Sequence, residues 1–293
     1  MKQIGGSAAM EGVMMKAPDA WALAVRLPSG EIHVERHEEA SLYEKYPWTK
    51  LVFIRGVVAL LDALAVSYRA LSRSASLAGE DEEELSGWAL YLTMLVSGVL
   101  GVALFVLLPA GASRLLVDAA ARPFLYNALD GVIKAALLVG YLAFIGRFAD
   151  VRRYFMYHGA EHKAIAAYEK GLELTVANVR NQPKYHPRCG TTFIAFVIVT
   201  SIAVYSFLPR PDVIWWLFAG RIALLPLVAA LSFELLRFSS SHNDPFSRLL
   251  RWLGFQFQML TVREPDDDMI EVSIASTKAA LAAGQQPAEG MVA

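Results

Sequence analysis

The sequence predicts a mainly α-helical, polytopic membrane protein with about four transmembrane helices, an interfacial helix and a small N-terminal β-hairpin. Three observations support this fold class. Hydrophobic residues make up 55 % of the 293 positions and charged residues only 19 %; four apolar stretches are long enough to cross a bilayer; and apolar residues alternate near the N-terminus. A net charge of -1 leaves no basic excess for binding nucleic acid, so that class of partner is excluded.

The N-terminal region is predicted to hold the hairpin. Apolar side chains recur at every second position from Trp21 to Leu27 and again at Ile32 and Val34, with turn residues at 28–30 between them. The preceding segment is rich in glycine and other small residues. Its glycines either let the backbone approach another part of the chain closely or simply form a loop. It lacks the spacing of a nucleotide-binding loop.

A helix with one polar stripe is predicted from Leu51 to Leu71. Arg55, Asp62 and Arg69 are seven residues apart, so they drift by only about 20° per step around a helix. We therefore expect this helix to lie at the membrane interface or to pack against other helices rather than to cross the bilayer alone.

Four stretches reach the roughly 20 residues that a hydrocarbon core of about 30 Å requires. They are Trp88–Pro109, 129–148, Thr191–Pro209 and 213–238. The first and third carry no charge. Lys134 and Arg221 lie near the ends of the other two, and we expect both side chains to reach toward the interface.

Basic residues set the expected orientation. Lys and Arg concentrate in the segment 147–188, whereas Arg114, Arg122 and Arg210 are the basic residues of the other two connections. The positive-inside rule then places the central segment and both termini in the cytoplasm.

The predicted organisation is, in chain order, a Gly-rich segment and hairpin (1–50), the interfacial or packed helix with a linker (51–87), two transmembrane helices (88–149), a cytoplasmic loop (150–190), two more transmembrane helices (191–238) and an amphipathic C-terminal region with a disordered tail (239–293).

The central segment contains a candidate metal-binding motif. His158 and His162 are four residues apart, which places them about 40° apart on a helix, and Glu161 lies on the other side of His158. Two imidazoles one turn apart with a carboxylate beside them suit a metal site. The H-x-x-E-H spelling is that of the inverzincin metallopeptidases, a shared geometry and not a kinship. The alternative is an exposed helix that merely carries these residues.

A second cluster, His186-Pro187-Arg188-Cys189, precedes the third apolar stretch. Its cysteine is the single one in the chain, so an intramolecular disulfide is impossible and the thiol can serve as a ligand. We expect a zinc site built from His158, His162 and one or two of His186, Cys189 and Glu161.

Glu234 is the remaining candidate acid. An ionisable group within a membrane helix is costly unless it is paired, which makes it a functional hypothesis. The equally weighted alternative is a helical ion pair with Arg237, three residues later.

The sequence resembles the YqhQ-like bacterial membrane proteins, the family of domain of unknown function 1385, whose members are described as candidate metal-dependent enzymes. The matching motifs are Gly5-Gly6, Met10–Met15, Arg55–Val58, Tyr157–Lys163, His186–Thr191 and Leu260–Asp266. Ser7 stands where the family pattern has glutamine. The resemblance implies a membrane protein of the bacterial inner membrane with a suspected metal; it supplies no reaction.

Two functions follow as expectations. The first is a zinc-dependent membrane hydrolase in which Glu161 or Glu234 is the general base and the substrate is lipid-linked or a membrane protein. The second is a non-catalytic scaffold or assembly factor whose metal is structural. A transporter is disfavoured because two of the apolar stretches hold no charge.

Overall fold

The computed structural model describes residues 2–79, 87–118, 121–207 and 214–282. These residues form two compact units: the first contains 2–79, 145–186 and 258–282, and the second contains 87–118, 121–144, 187–207 and 214–257. The helices are α1 Leu42–Lys45, α2 Ile54–Leu77, α3 Gly87–Val102, α4 Leu108–Leu116, α5 Pro123–Ile145, α6 Ala149–Glu169, α7 Val176–Arg180, α8 Gly190–Ser206, α9 Ile214–Ser241, α10 Pro245–Thr261 and α11 Asp267–Leu281. The predicted disordered tail, from Gly284 onward, lies outside the described residues.

A four-stranded antiparallel sheet forms the centre of the first unit. Its strands are β1 Gly5–Ala9, β2 Gly12–Lys16, β3 Trp21–Arg26 and β4 Ile32–His37, paired in that order. β3 and β4 form the predicted hairpin. The glycine-rich segment, for which a loop was one of the two predictions, instead forms the additional pair β1 and β2.

The two faces of the sheet bury different cores, because neighbouring residues of a strand point to opposite sides. Met14 and Leu23 are partners in register and pack with Val66 and Ala70 of α2. The alternate positions of β2 and β3 pack instead with α6 and α11. The unit is therefore a layered sandwich in which the sheet separates α2 from α6 and α11.

Polar side chains along one side of α2 form ion pairs with residues of the sheet and of the segment that follows it. Asp62 accepts a hydrogen bond of 2.6 Å from Lys16 of β2, and Arg69 pairs with Glu39 at 2.8 Å while its guanidinium lies 5.5 Å from the centre of the Trp21 ring. Three large apolar side chains of the helix are more than half exposed: Leu61, Leu64 and Tyr68. This helix thus packs on a sheet through one side and presents apolar side chains on another.

Three helical segments are long and apolar enough to cross a membrane: Leu95–Leu116, Pro123–Ile145 and Ala219–Ser241. The stretch predicted as the third span is α8, which has 17 residues. At 1.5 Å per residue it is about 25 Å long, shorter than the hydrocarbon core. The structure therefore supports three of the four predicted spans by length.

The first span does not end at Pro109, as predicted, but continues as a helix to Leu116. Proline normally breaks a helix because its ring clashes with the carbonyl four residues earlier. Here the turns before it, Ala103–Leu107, are π-helical. Such a wider turn relieves the clash and lets the helix pass the proline.

Small side chains allow close packing of the helices in the second unit. A Cβ at Gly131 of α5 would come within 2.4 Å of the Ile202 side chain of α8. Thr200 of α8 and Ser232 of α9 share a buried hydrogen bond of 2.5 Å. Both features are typical of helix interfaces in membranes.

Lys134 and Arg221, which are predicted to reach toward the interface, share a buried carboxylate. The Lys134 ammonium lies 2.7 Å from Asp130 Oδ2, and Arg221, only 4 % exposed, lies 3.4 Å from the same oxygen. The Arg221 guanidinium also donates to Asn127 Oδ1 at 3.2 Å. A buried carboxylate holds both cations inside the helix packing, which is more favourable than leaving it unpaired.

Candidate metal centre

Helix α6 places two imidazoles side by side. The rings of His158 and His162 have centroids 4.5 Å apart, and the two residues offer ligand atoms within 4.8 Å of each other. His162 is 2 % exposed. The one-turn spacing therefore produces a pair of neighbouring ligands on a mostly buried helix.

Backbone carbonyls fix the orientation of both rings. His158 Nδ1 lies 3.0 Å from the carbonyl oxygen of Thr261, and His162 Nδ1 lies 2.6 Å from that of Lys184. A carbonyl only accepts hydrogen bonds, so each Nδ1 carries the proton and each Nε2 carries the lone pair of a neutral imidazole. Histidines that bind metals are held in this way by carbonyls or carboxylates.

His186 lies next to this pair. Its ring centroid is 5.8 Å from that of His162, and its Nε2 donates to Glu169 Oε2 at 3.3 Å, which leaves the lone pair on Nδ1. Gln258, which is fully buried, holds the backbone of His186: it accepts from the N–H at 3.0 Å and donates to the carbonyl at 2.7 Å. Sequence reasoning missed this glutamine, because α10 is amphipathic and carries other polar side chains from which it does not stand out.

Glu161 is a buried acid beside the imidazoles. It is 4 % exposed, and its Oε2 lies 3.9 Å from His158 Nε2. Burial raises its pKa, while the positive charges that His158 and His186 can carry act in the opposite direction. A carboxyl group that takes up a proton readily suits a general acid or base.

Strand β1 passes directly over Glu161. A Cβ at Gly6 would come within 2.9 Å of Glu161 Cγ, so only glycine allows this approach without a shift. The next residue, Ser7, is in register with Met14, whose side chain belongs to the α2 side of the sheet. Position 7 therefore faces away from Glu161, and a glutamine there would point toward α2.

The turn between β1 and β2 is tied to α6. The carboxylate of Glu11 pairs with the guanidinium of Arg153 and accepts a hydrogen bond from the Tyr157 hydroxyl at 3.2 Å. The Tyr154 hydroxyl donates to the carbonyl of Ala8 at 3.1 Å. These contacts hold the N-terminal strands against the helix that carries the imidazoles.

Gly159 explains why the segment after α10 reaches α6. A Cβ at this position would lie 2.0 Å from the carbonyl oxygen of Arg263, and the Arg263 N–H donates to the Phe155 carbonyl at 2.9 Å. This close backbone approach brings in the Thr261 carbonyl that orients His158.

Cys189 and Glu234 belong to the second unit. Cys189 is buried and stands before the first turn of α8, where its sulfur accepts a hydrogen bond from the Thr191 N–H at 3.3 Å. Glu234 lies half-buried in α9. Their roles as ligand and as base stay predictions.

The structure thus defines a mainly helical protein with three helices long and apolar enough to cross a membrane, whose first unit carries a cluster of three histidines and a buried glutamate. Residues 51–283 match the family described as "Protein of unknown function (DUF1385)". The chain is 34 % identical over 292 residues to "Uncharacterized protein YqhQ" of Bacillus subtilis (strain 168), covering 93 % of this chain and 90 % of that protein. The chain therefore belongs to the DUF1385 family, which confirms the resemblance. No solved structure matches it.

Proposed function

We propose that this protein is a metal-dependent hydrolase that works at the cytoplasmic face of the bacterial inner membrane. The observation that carries the proposal is the orientation of His158 and His162. Both Nδ1 atoms are held by backbone carbonyls, so two Nε2 lone pairs are presented one helical turn apart, beside a buried carboxylate.

The proposed metal is zinc, with His158 and His162 as ligands and Cys189 as the third. Cys189 follows His186 by only three residues, and imidazole with thiolate is a ligand set that zinc favours. Zinc with three protein ligands lowers the pKa of a bound water to about 7. Glu161 would accept the proton, since it is buried next to His158. Glu234 is the alternative base.

The proposed topology adds α8 as a fourth, shorter span, with both termini in the cytoplasm. The excess of Lys and Arg in 147–188 supports this orientation. The exposed apolar side chains of α2 support an interfacial position for that helix. A catalytic unit held at the bilayer surface suits a lipid-linked or membrane-protein substrate.

Metal content tests the proposal. Protein purified in detergent without added chelator should contain about one zinc ion per chain, and His162→Ala should lose it because half of the oriented pair is removed. His242→Ala, at an exposed histidine of the second unit, is the matched control and should keep the metal. Full metal content in His162→Ala would contradict a site on α6.

A second candidate function is a scaffold with a closed structural metal. The pairing of His186 with Glu169 favours it, because a carboxylate-held histidine suits a fourth ligand. Cobalt substitution separates the two functions through its absorption spectrum. A wild-type spectrum that changes when small anions are added indicates an open coordination position and supports the hydrolase. A tetrahedral wild-type spectrum that does not respond to anions, together with a different spectrum in His186→Ala, supports the scaffold.

A further inference from the structure

The second unit contains a buried charged cluster that is separate from the histidine centre. Asp130 and Lys134 lie on α5, and Arg221 lies on α9. Both cations share Asp130 Oδ2, at 2.7 Å and 3.4 Å. The cluster therefore carries two positive charges and one negative charge in a region packed from membrane-type helices, where an excess charge is costly.

The polar atoms of this cluster are incompletely hydrogen-bonded. Among the described residues, Arg221 Nε and Nη1 and Asp130 Oδ1 are buried without a hydrogen-bond partner. Arg221 is 4 % exposed and Asp130 is 3 % exposed. Buried polar groups normally have hydrogen-bond partners, so each group without one points to a ligand, an ion or a function.

Two aromatic rings hold the guanidinium in place. Its carbon lies 5.8 Å from the centre of the Tyr126 ring and 5.4 Å from that of Tyr205. Tyr205 also donates to the backbone carbonyl of Arg221 at 3.3 Å. The planar guanidinium group of Arg221 is therefore held in one orientation before a ligand binds, which lowers the entropic cost of binding.

We propose that this cluster binds a singly charged phosphoryl group that carries a neighbouring hydroxyl. The excess positive charge calls for one negative charge, and two N–H groups of one guanidinium match two phosphoryl oxygens. The remaining oxygen of Asp130 only accepts, so it calls for a hydroxyl donor on the same ligand. Asp130 lies seven residues into α5, about 10 Å from its first residue, a depth that suits a lipid headgroup drawn inward. Free dihydrogen phosphate has the same chemistry.

Lipid retention tests the site. Wild-type protein, Arg221→Met and Arg248→Met are compared in detergent after delipidation, with phosphatidylglycerol, phosphatidylcholine or inorganic phosphate added back. Arg248 is an exposed arginine of the same unit and is the matched control. The wild type and the control should bind phosphatidylglycerol over phosphatidylcholine by about tenfold or more, since choline adds a positive charge that the cluster repels and has no hydroxyl to donate to Asp130. Arg221→Met should show no preference.

Asp130→Asn and phosphatidylmethanol test the hydroxyl. The wild type should prefer phosphatidylglycerol over phosphatidylmethanol, whose headgroup has no hydroxyl, and Asp130→Asn should lose this preference while it still rejects phosphatidylcholine. If Arg221→Met does not purify as a monodisperse protein, Lys134→Met is tested for the same lipid preference in its place. This variant removes the excess positive charge and keeps the Arg221–Asp130 pair.

Binding of inorganic phosphate by the wild type, without a lipid preference, would support the site and assign it to the free ion. Equal binding of both lipids by the wild type with no response to phosphate, or an unchanged preference in Arg221→Met, would overturn the proposal and leave a purely structural ion cluster.

Discussion

The glycine in the centre of the histidine motif gives the sharpest test of how the site is built. In Gly159→Ala the new Cβ would lie 2.0 Å from the Arg263 carbonyl oxygen, whereas ordinary contacts begin at 3.4 Å. The chain around residue 263 must therefore retreat by more than an ångström. Two hydrogen bonds depend on its position: Arg263 N–H to the Phe155 carbonyl at 2.9 Å and His158 Nδ1 to the Thr261 carbonyl at 3.0 Å.

Gly159→Ala is expected to lower both the stability of the protein and its affinity for metal. Two hydrogen bonds contribute about 1 kcal/mol each, overpacking costs about 1–3 kcal/mol, and replacing a helical glycine with alanine returns about 1 kcal/mol, so the free energy of unfolding should fall by about 2–4 kcal/mol. Loss of the partner that orients His158 should weaken metal affinity by about 10- to 100-fold.

A competition titration with a chromophoric zinc chelator measures the affinity, and thermal unfolding measures the stability. Gly140→Ala is the matched control, because Gly140 is also helical and a Cβ there meets nothing within 4 Å. It should bind zinc as the wild type does. Undiminished zinc affinity in Gly159→Ala would refute the argument that the Thr261 carbonyl orients a metal ligand.

Three further predictions concern the same unit. Gln258→Met leaves the buried N–H and carbonyl of His186 unsatisfied, so unfolding free energy should fall by about 2–4 kcal/mol; an unchanged denaturation midpoint would contradict this. Gly6→Ala places a Cβ 2.9 Å from Glu161 Cγ and should destabilise by about 1–3 kcal/mol, whereas Gly5→Ala, with open space, should not. Zinc affinity should fall on acidification, because a protonated imidazole has no lone pair to bind metal; an affinity that does not change with pH would exclude imidazole ligands.

Sequence periodicity predicted those parts of the fold that depend only on residues close together in the chain. The alternation from Trp21 predicts the β3–β4 hairpin because a half-covered strand repeats every two residues. The spacing of His158 and His162 predicts neighbouring rings because it depends only on helix geometry, and the rings lie 4.5 Å apart. Lys134 is a local signal that was misread: its partner Asp130 is four residues earlier, within the same helix.

Partners that come from distant segments could not be read in this way. β1 is made of glycine, serine and alanine, so it has no large alternating side chains to reveal a strand, and its glycine at position 6 is explained by the nearness of Glu161 and of the Met14 carbonyl. Gln258 lies 72 residues after His186. Arg221 lies 94 residues from Asn127, its hydrogen-bond partner. Nothing in one sequence connects such positions.

The way the first unit is assembled has a consequence for any function of α6. The sheet comes from the N-terminal part of the chain, α6 from the middle and α11 from the C-terminal part, and the long apolar helices lie between them in sequence. The contacts that orient the imidazoles come from Thr261 and Lys184, while β1 covers Glu161. The oriented histidines therefore exist only after the N-terminal, middle and C-terminal segments of the first unit have met.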